Sequence, residues 1–289
     1  MPTDLVIRAI EVTVAYGAAR VLDRVSLDIA AGSVVGILGP NGSGKSTLLR
    51  VLAGTLQPQS GRVMLDAADL TTLGRLTVAR RVAVVPQDTH LAFDYTVLEV
   101  ALMGRYPHLG PFEVEGPADF AAAEAALEAT GTLALAERAY ATLSGGEKQR
   151  VVIASALAQL DRRSRAAGHE SPLLLLDEPT AALDLRYQVE VAALIGNLHD
   201  ASLGTSAPLT VVLSTHDLHF ATTLCDSVVL LSQGRVAAQG PPINVLTPET
   251  LSSVYGISRE LAAPLLLRVG VARPGSEYVA RPGSQGRES

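Results

Sequence analysis

A glycine-rich turn stands between a short apolar run, Ser33 to Leu38 (SVVGIL), and the stretch STLLRVLAGTL. In the latter, Leu48, Leu49, Leu52 and Leu56 fall on one helical face. The turn reads Gly39-Pro40-Asn41-Gly42-Ser43-Gly44-Lys45-Ser46, with Thr47 next, and fits G-x-x-x-x-G-K-[ST]. Its glycines let backbone amides converge on a phosphate without side-chain clash. Lys45 offers a positive charge to the outer phosphates and Ser46 a hydroxyl to Mg²⁺. The following helix presents its N-terminus to the anion. The preceding run suits a buried parallel strand, so this segment alone points to an α/β chain.

The rest of the chain agrees in kind. Its 289 residues allow one large domain or two modest ones. A hydrophobic share of 48% against 18% charged excludes a disordered chain. Cys225 is the single cysteine, which rules out an intrachain disulfide framework and fits a reducing compartment. The net charge of −6 argues against a nucleic-acid binder. Mean hydropathy is +0.28, yet no apolar run approaches the ~20 residues of a membrane-spanning helix. The opening MPTDLVIRAIEV lacks the basic start of a secretory signal. Work at a membrane would therefore be peripheral. Lys45 and Lys148 are the only lysines, against 21 arginines, which makes a lysine inside a motif more telling.

VIRAIEVTVAYG and VLDRVSLDIAAG alternate as half-buried strands joined by turns. Gly61 to Asp66 and Arg81 to Pro86 read as further short strands. From Asp88 to about Ala158 helical patterning takes over, with a Pro/Gly-rich connector from Gly104 to Pro117. Strands return at PLLLLD and LTVVLST, with a helical stretch, LRYQVEVAALIGNL, between them. Asp161 to Ser171 reads as a polar surface loop, and the Gly/Pro/Ser/Arg-rich tail after about Val271 as poorly ordered.

Leu173-Leu174-Leu175-Leu176-Asp177-Glu178 delivers two carboxylates at the end of an apolar strand, where ligands bind in open α/β sheets. Asp177 can hold Mg²⁺, directly or through water, and Glu178 can polarise an attacking water. With only two lysines, the Asn-Lys-x-Asp element of guanine-specific proteins cannot be present, so ATP is favoured over GTP.

Leu143-Ser144-Gly145-Gly146-Glu147-Lys148-Gln149-Arg150 reads physically as a capping box, with Ser144 capping and Glu147 three residues on. Ile153, Ala156, Leu157 and Leu160 then form the buried face of that helix. The two glycines bare backbone amides at a second helix N-terminus. With the two preceding motifs, this one makes the chain resemble the ATP-binding cassette (ABC) ATPases over about Val6 to Tyr255. The resemblance implies an α/β fold: a P-loop NTPase (RecA-like) core with an N-terminal antiparallel β subdomain and an inserted α-helical subdomain. The ATPase domain would occupy residues 1–260, with the helical insert at 88–158, and 261–289 would be a C-terminal extension.

Residue by residue, the resemblance places Tyr16 on adenine and Gln87 near Mg²⁺ and the transport partner. It places Asp184 at the partner subunit, where it can equally cap the next helix, and His216 at the γ-phosphate. Ser155 departs from the pattern, which often has arginine there. The mechanism implied is a head-to-tail homodimer sandwiching two Mg-ATP. Each ATP would meet Lys45, Ser46, Gln87, Glu178 and His216 of one chain and Ser144 to Gly146 of the other. HLAFDYTVLEVALMGRYPHLG (90–110) resembles the ATPases of metal-chelate importers, and its region near the loop glutamine would receive the coupling helix of a separate membrane permease. Ferric siderophore stands first as cargo, then haem or cobalamin. The resemblance further implies an extracytoplasmic substrate-binding protein as an indirect partner, no nucleic acid, and a place on the cytoplasmic face of the inner membrane. A transporter ATPase for another cargo, or a soluble non-transport cassette, is the other reading. The soluble kind usually carries coiled-coil inserts or two cassettes, which this chain lacks.

Overall fold

A computed structural model describes residues 5–89, 91, 93–161, 171–181 and 183–268. The surface loop predicted at 161–171 falls largely outside these residues, and the tail after Val271 falls wholly outside them.

Two long strands, β1 (Leu5–Tyr16) and β2 (Ala19–Ala30), pair antiparallel. In β2, Val25, Leu27 and Ile29 face the core while Ser26 and Asp28 face out, the period-2 pattern of a sheet wet on one side. β3 (Val34–Leu38) follows and is buried at every position. The glycine-rich turn leads into α1 (Lys45–Leu52), which buries Leu48, Leu49 and Leu52 as the periodicity predicts. Next come β4 (Ser60–Leu65), β5 (Ala68–Asp69), α2 (Arg75–Ala79) and β6 (Val82–Val85). A helical stretch holds α3 (Val97–Leu102), a 3-10 segment (Met103–His108), α4 (Pro117–Ala129) and α5 (Gly145–Gln159). The chain returns through β7 (Leu173–Asp177), α6 (Leu185–Leu203), β8 (Thr210–Thr215) and α7 (Leu218–Leu224). It closes with a hairpin, β9 (Ser227–Ser232) and β10 (Arg235–Gly240), then α8 (Pro242–Val245), α9 (Pro248–Tyr255) and α10 (Arg259–Arg268).

Sheet order is β2-β1-β4-β5 in the antiparallel sheet and β10-β9-β3-β8-β7-β6 in the other. In the second sheet β9, β3, β8, β7 and β6 run parallel, and β10 joins the edge antiparallel. Strands covered on both faces need apolar residues at every position, which is why β3, β7 and β8 read as runs rather than alternations. This is the α/β architecture expected. The β9–β10 hairpin was not anticipated, although SVVLLS followed by Gln-Gly carries a strand-and-turn signal.

Three cores hold these layers. One lies between the antiparallel sheet, α1 and one face of the parallel sheet. A second lies under α5, α6, α7 and the C-terminal helices. A third joins α3, α4 and α5. α5 serves two of them, giving Ile153 and Ala156, with its cap residue Leu160, to the second and Val151, Ala154 and Ala158 to the third.

Within the 90–110 segment that resembles the metal-chelate importer ATPases, the polar and aromatic residues Arg105, Tyr106 and His108 are partly turned inward. Arg105 is buried; its Nε donates to Asp119 Oδ1 at 2.9 Å and its Nη1 to the Ala158 carbonyl at 2.7 Å. His108 Nε2 lies 2.9 Å from the Gln159 carbonyl. Both side chains therefore meet carbonyls at the C-terminal end of α5. Tyr106 alone of the trio is exposed.

Candidate functional site

The carboxyl ends of β3, β7, β8 and β6 form one edge of the parallel sheet, and the predicted residues leave from it. The phosphate loop follows β3. Gly44 caps α1 at φ 103, and a Cβ there would stand 2.8 Å from Leu22 Cδ2 and 2.9 Å from the Val21 carbonyl oxygen. Only glycine lets the loop pack this tightly against β2. No acidic residue sits in the first turn of α1, and Lys45 and Ser46 open it. The helix end thus keeps its partial positive charge for an anion. Lys45 is buried, with Nζ 3.1 Å from the Gly39 carbonyl oxygen, 3.3 Å from that of Pro40 and 3.7 Å from Glu178 Oε1.

β7 sits beside β8, with Asp177 opposite Ser214. Asp177 Oδ1 accepts hydrogen bonds from Ser46 Oγ at 3.0 Å and Ser214 Oγ at 2.6 Å. One carboxylate and one hydroxyl are the hard oxygen donors that suit Mg²⁺ when it arrives with phosphates, since that ion needs no cage of protein ligands. Glu178 follows at φ 47, an unusual backbone region for a residue with a side chain. Its N–H donates to Ser214 Oγ at 2.9 Å. His216, just past β8, is 64% exposed and brings Nδ1 to 3.7 Å from Glu178 Oε2. Lys45, Ser46, Asp177, Glu178 and His216 are therefore brought together. Gln87 leaves the same sheet edge, two residues beyond the Val85–Leu176 pair, with its side chain exposed. Tyr16 ends β1 and is 50% exposed.

Ser144, Gly145, Gly146 and Glu147 stand elsewhere, at the N-terminus of α5. Ser144 Oγ accepts from the Glu147 N–H at 3.4 Å, and Glu147 Oε2 accepts from the Ser144 N–H and Oγ, each at 2.8 Å. These bonds from Ser144 hold the Glu147 carboxyl below its ordinary pKa. A Cβ on Gly146 would stand 2.2 Å from Tyr187 Cδ1, so this turn rests on the start of α6. There Asp184 Oδ1 accepts from the Tyr187 N–H at 3.1 Å. Among the described residues no hydrogen bond or ion pair joins Ser144–Glu147 to the phosphate loop.

Sequence reasoning missed two residues of this site. Ser214, inside STHD, is the hydroxyl that joins Asp177 to the Glu178 backbone; its place one strand position before Thr215 carried no separate signal. Tyr255, at the end of α9, buries a hydroxyl that makes no well-formed hydrogen bond. Burial pushes its phenol pKa up, and the nearby Gly39 N–H pulls part of that back.

The sequence pattern of the ABC transporter family matches residues 22–181, more than half of the chain. The chain belongs to the ABC transporter family, as one of its ATPases. Among curated relatives, the hemin import ATP-binding protein HmuV of Bordetella pertussis is 44% identical over 260 residues, 90% of this chain and 95% of that protein. The protein of the same name from Myxococcus xanthus is 44% identical over 254 residues, 88% and 90% of the two chains. The cobalamin import ATP-binding protein BtuD of Halobacterium salinarum is 41% identical over 236 residues, 82% of this chain and 55% of that one. Among solved structures, a metal-chelate type ABC transporter in an inward-facing conformation superposes with TM-score 0.73 at 29% identity, covering 88% of this chain and 90% of that one. A bacterial ABC transporter cassette solved as a dimer gives TM-score 0.67 at 28% identity, covering 82% and 98%. As a member of this family the ABC chain binds ATP with Mg²⁺ and hydrolyses it.

Proposed function

We propose that this chain is the ATP-hydrolysing subunit of an importer that moves a metal chelate through a separate membrane permease, with haem as the cargo. The convergence of Lys45, Ser46, Asp177, Glu178 and His216 at one sheet edge supports the catalytic reading. The similarity to hemin import ATP-binding proteins favours haem over the ferric siderophore that stands first on sequence alone. Cobalamin, named for one further relative, is the next alternative.

The motifs and the family resemblance supply the roles, and the convergence above supports them. The loop 39–47 binds the phosphates through its amides and the start of α1, and the Lys45 ammonium neutralises charge developing on the outer phosphate. Ser46 and Asp177 would hold Mg²⁺, with Gln87 nearby; the ion supplies charge neutralisation on the phosphate oxygens. Glu178 orients and polarises the attacking water, and His216 lies beside it to contact the γ-phosphate. Tyr16 offers its ring face to adenine.

A second copy, placed head to tail, completes each site with Ser144 to Gly146. Leu185 and Val189, 76% and 61% exposed at the start of α6, give the neighbourhood of Asp184 an apolar face that suits such a partner. An extracytoplasmic binding protein would feed the permease. The ATPase would lie at the cytoplasmic face of the inner membrane; among the described residues no helix is long and apolar enough to cross it.

The test is Glu178→Gln examined by size exclusion with and without Mg-ATP. The variant is expected to bind ATP, lose turnover and elute as a dimer only with nucleotide. A variant that stays monomeric at saturating ATP rejects the shared site. For cargo, a deletion strain is expected to lose growth on haem as sole iron source while keeping growth on a ferric siderophore. Growth on haem undiminished would reject that assignment.

A further inference from the structure

β9 and β10 lie beyond residue 181, where the family match ends. Gln233 and Gly234 alone join them, both at positive φ (48 and 73), the two-residue turn whose twist suits a hairpin. The tip of this hairpin touches the phosphate loop and β2 together. The Gly234 N–H donates to the Ser43 carbonyl at 3.2 Å, and the Asp23 N–H donates to the Gly234 carbonyl at 2.8 Å. A Cβ on Gly234 would stand 2.4 Å from the Val21 carbonyl oxygen and 3.3 Å from Leu22 Cα, backbone atoms that cannot swing aside. The start of the loop meets the same hairpin, since a Cβ on Gly39 would stand 2.2 Å from the Leu231 carbonyl oxygen. Arg235 fastens the hairpin to β2, with Nε donating to Asp23 Oδ2 at 2.8 Å and Nη2 to the same oxygen. Arg20 Nη1 takes the other oxygen at 3.0 Å.

The peptide plane gives these contacts a consequence. The Ser43 carbonyl and the Gly44 N–H belong to one planar trans peptide and point in opposite directions. Holding the Ser43 oxygen therefore aims the Gly44 amide, which belongs to the loop's anion-binding set. We propose that Gly234 is a positioning residue for ATP: it fixes the orientation of the Ser43–Gly44 peptide relative to β2, the strand paired with the one that ends in Tyr16. This rests on the reading of 39–47 as the phosphate site. It makes the adenine side and the phosphate side one mechanical unit, tied by a segment far along the chain.

The test measures the Kd of Mg-ATP by calorimetry, with steady-state ATPase and thermal unfolding, on the full chain. Gly234→Asn keeps a residue that tolerates positive φ but places a Cβ against Val21. Arg235→Ala loosens the fastening without touching the loop. Both are expected to raise Kd and KM about tenfold, the equivalent of one hydrogen bond at roughly 1.4 kcal/mol per decade, with kcat at saturation little changed. Leu127→Ala, in the core of α3, α4 and α5, serves as a variant of lowered stability remote from the loop and should leave Kd unchanged. A wild-type Kd for Gly234→Asn overturns the proposal, as does an equal rise in Leu127→Ala. Lys45→Ala separates the two readings. If it loses ATP affinity while Gly234→Asn does not, the positioning role alone falls; if Lys45→Ala binds normally, the phosphate site itself was misassigned.

Discussion

Ser214 serves two neighbours with one buried oxygen, donating to Asp177 and accepting from the Glu178 N–H. Ser214→Ala leaves that N–H buried without its partner, which is expected to cost roughly 1–3 kcal/mol of stability. It also frees the Glu178 backbone, so kcat should fall while KM for ATP stays near its normal value; urea unfolding and steady-state turnover measure both. An unchanged kcat would mean that Glu178 is held by other means. Residues of this kind mark where sequence reading stops. Lys45, Ser46 and Asp177 were legible because a glycine pattern and a strand-end carboxylate announce their chemistry locally. Arg105 was not, since its burial is decided by a carboxylate 14 residues on and a carbonyl 53 residues on.

Among the elements, α5 carries the most. Its capping box at Ser144–Glu147 was readable from four residues, because the geometry of a cap is local. The Glu147 carboxyl has a folded pKa below its ordinary value of 4.5. Its contribution to the fold is therefore complete above about pH 4.5 and is lost as the pH falls through the lowered folded value. Glu147→Gln should flatten the acid limb of a melting-temperature profile without moving the neutral-pH end by more than a few degrees. The other end of α5 receives the 3-10 segment Met103–His108 through a close approach: a Cβ on Gly104 would stand 2.0 Å from the Ser155 carbonyl oxygen. Gly104→Ala must push the segment off the helix, with an expected loss of roughly 1–3 kcal/mol in chemical denaturation. A loss below ~0.5 kcal/mol would show that the two elements separate freely. Ser155, which departs from the family pattern, meets this contact through its backbone carbonyl. The β9–β10 hairpin escaped the sequence reading for a different reason. Its short apolar run resembles other buried strands, and only pairing with β3 assigns it a place.

At the scale of the molecule, the third core shares α5 with the second but is otherwise built from α3, α4 and their connections. Leu127, fully buried in that core, anchors it. Leu127→Ala should cost roughly 2–5 kcal/mol. Hydrogen exchange should then quicken first in α3 and α4, with β3, β7 and β8 still protected. Uniform loss of protection across the chain would show instead a single cooperative unit. Tolerance of heat across the whole chain also has an opponent inside the proposed catalytic edge. Glu178 occupies a left-handed backbone conformation that glycine or asparagine would adopt with less strain, by about 1 kcal/mol. A population bred for thermal endurance alone would discard this carboxylate early, whereas one bred for nutrient uptake would keep it and melt slightly sooner.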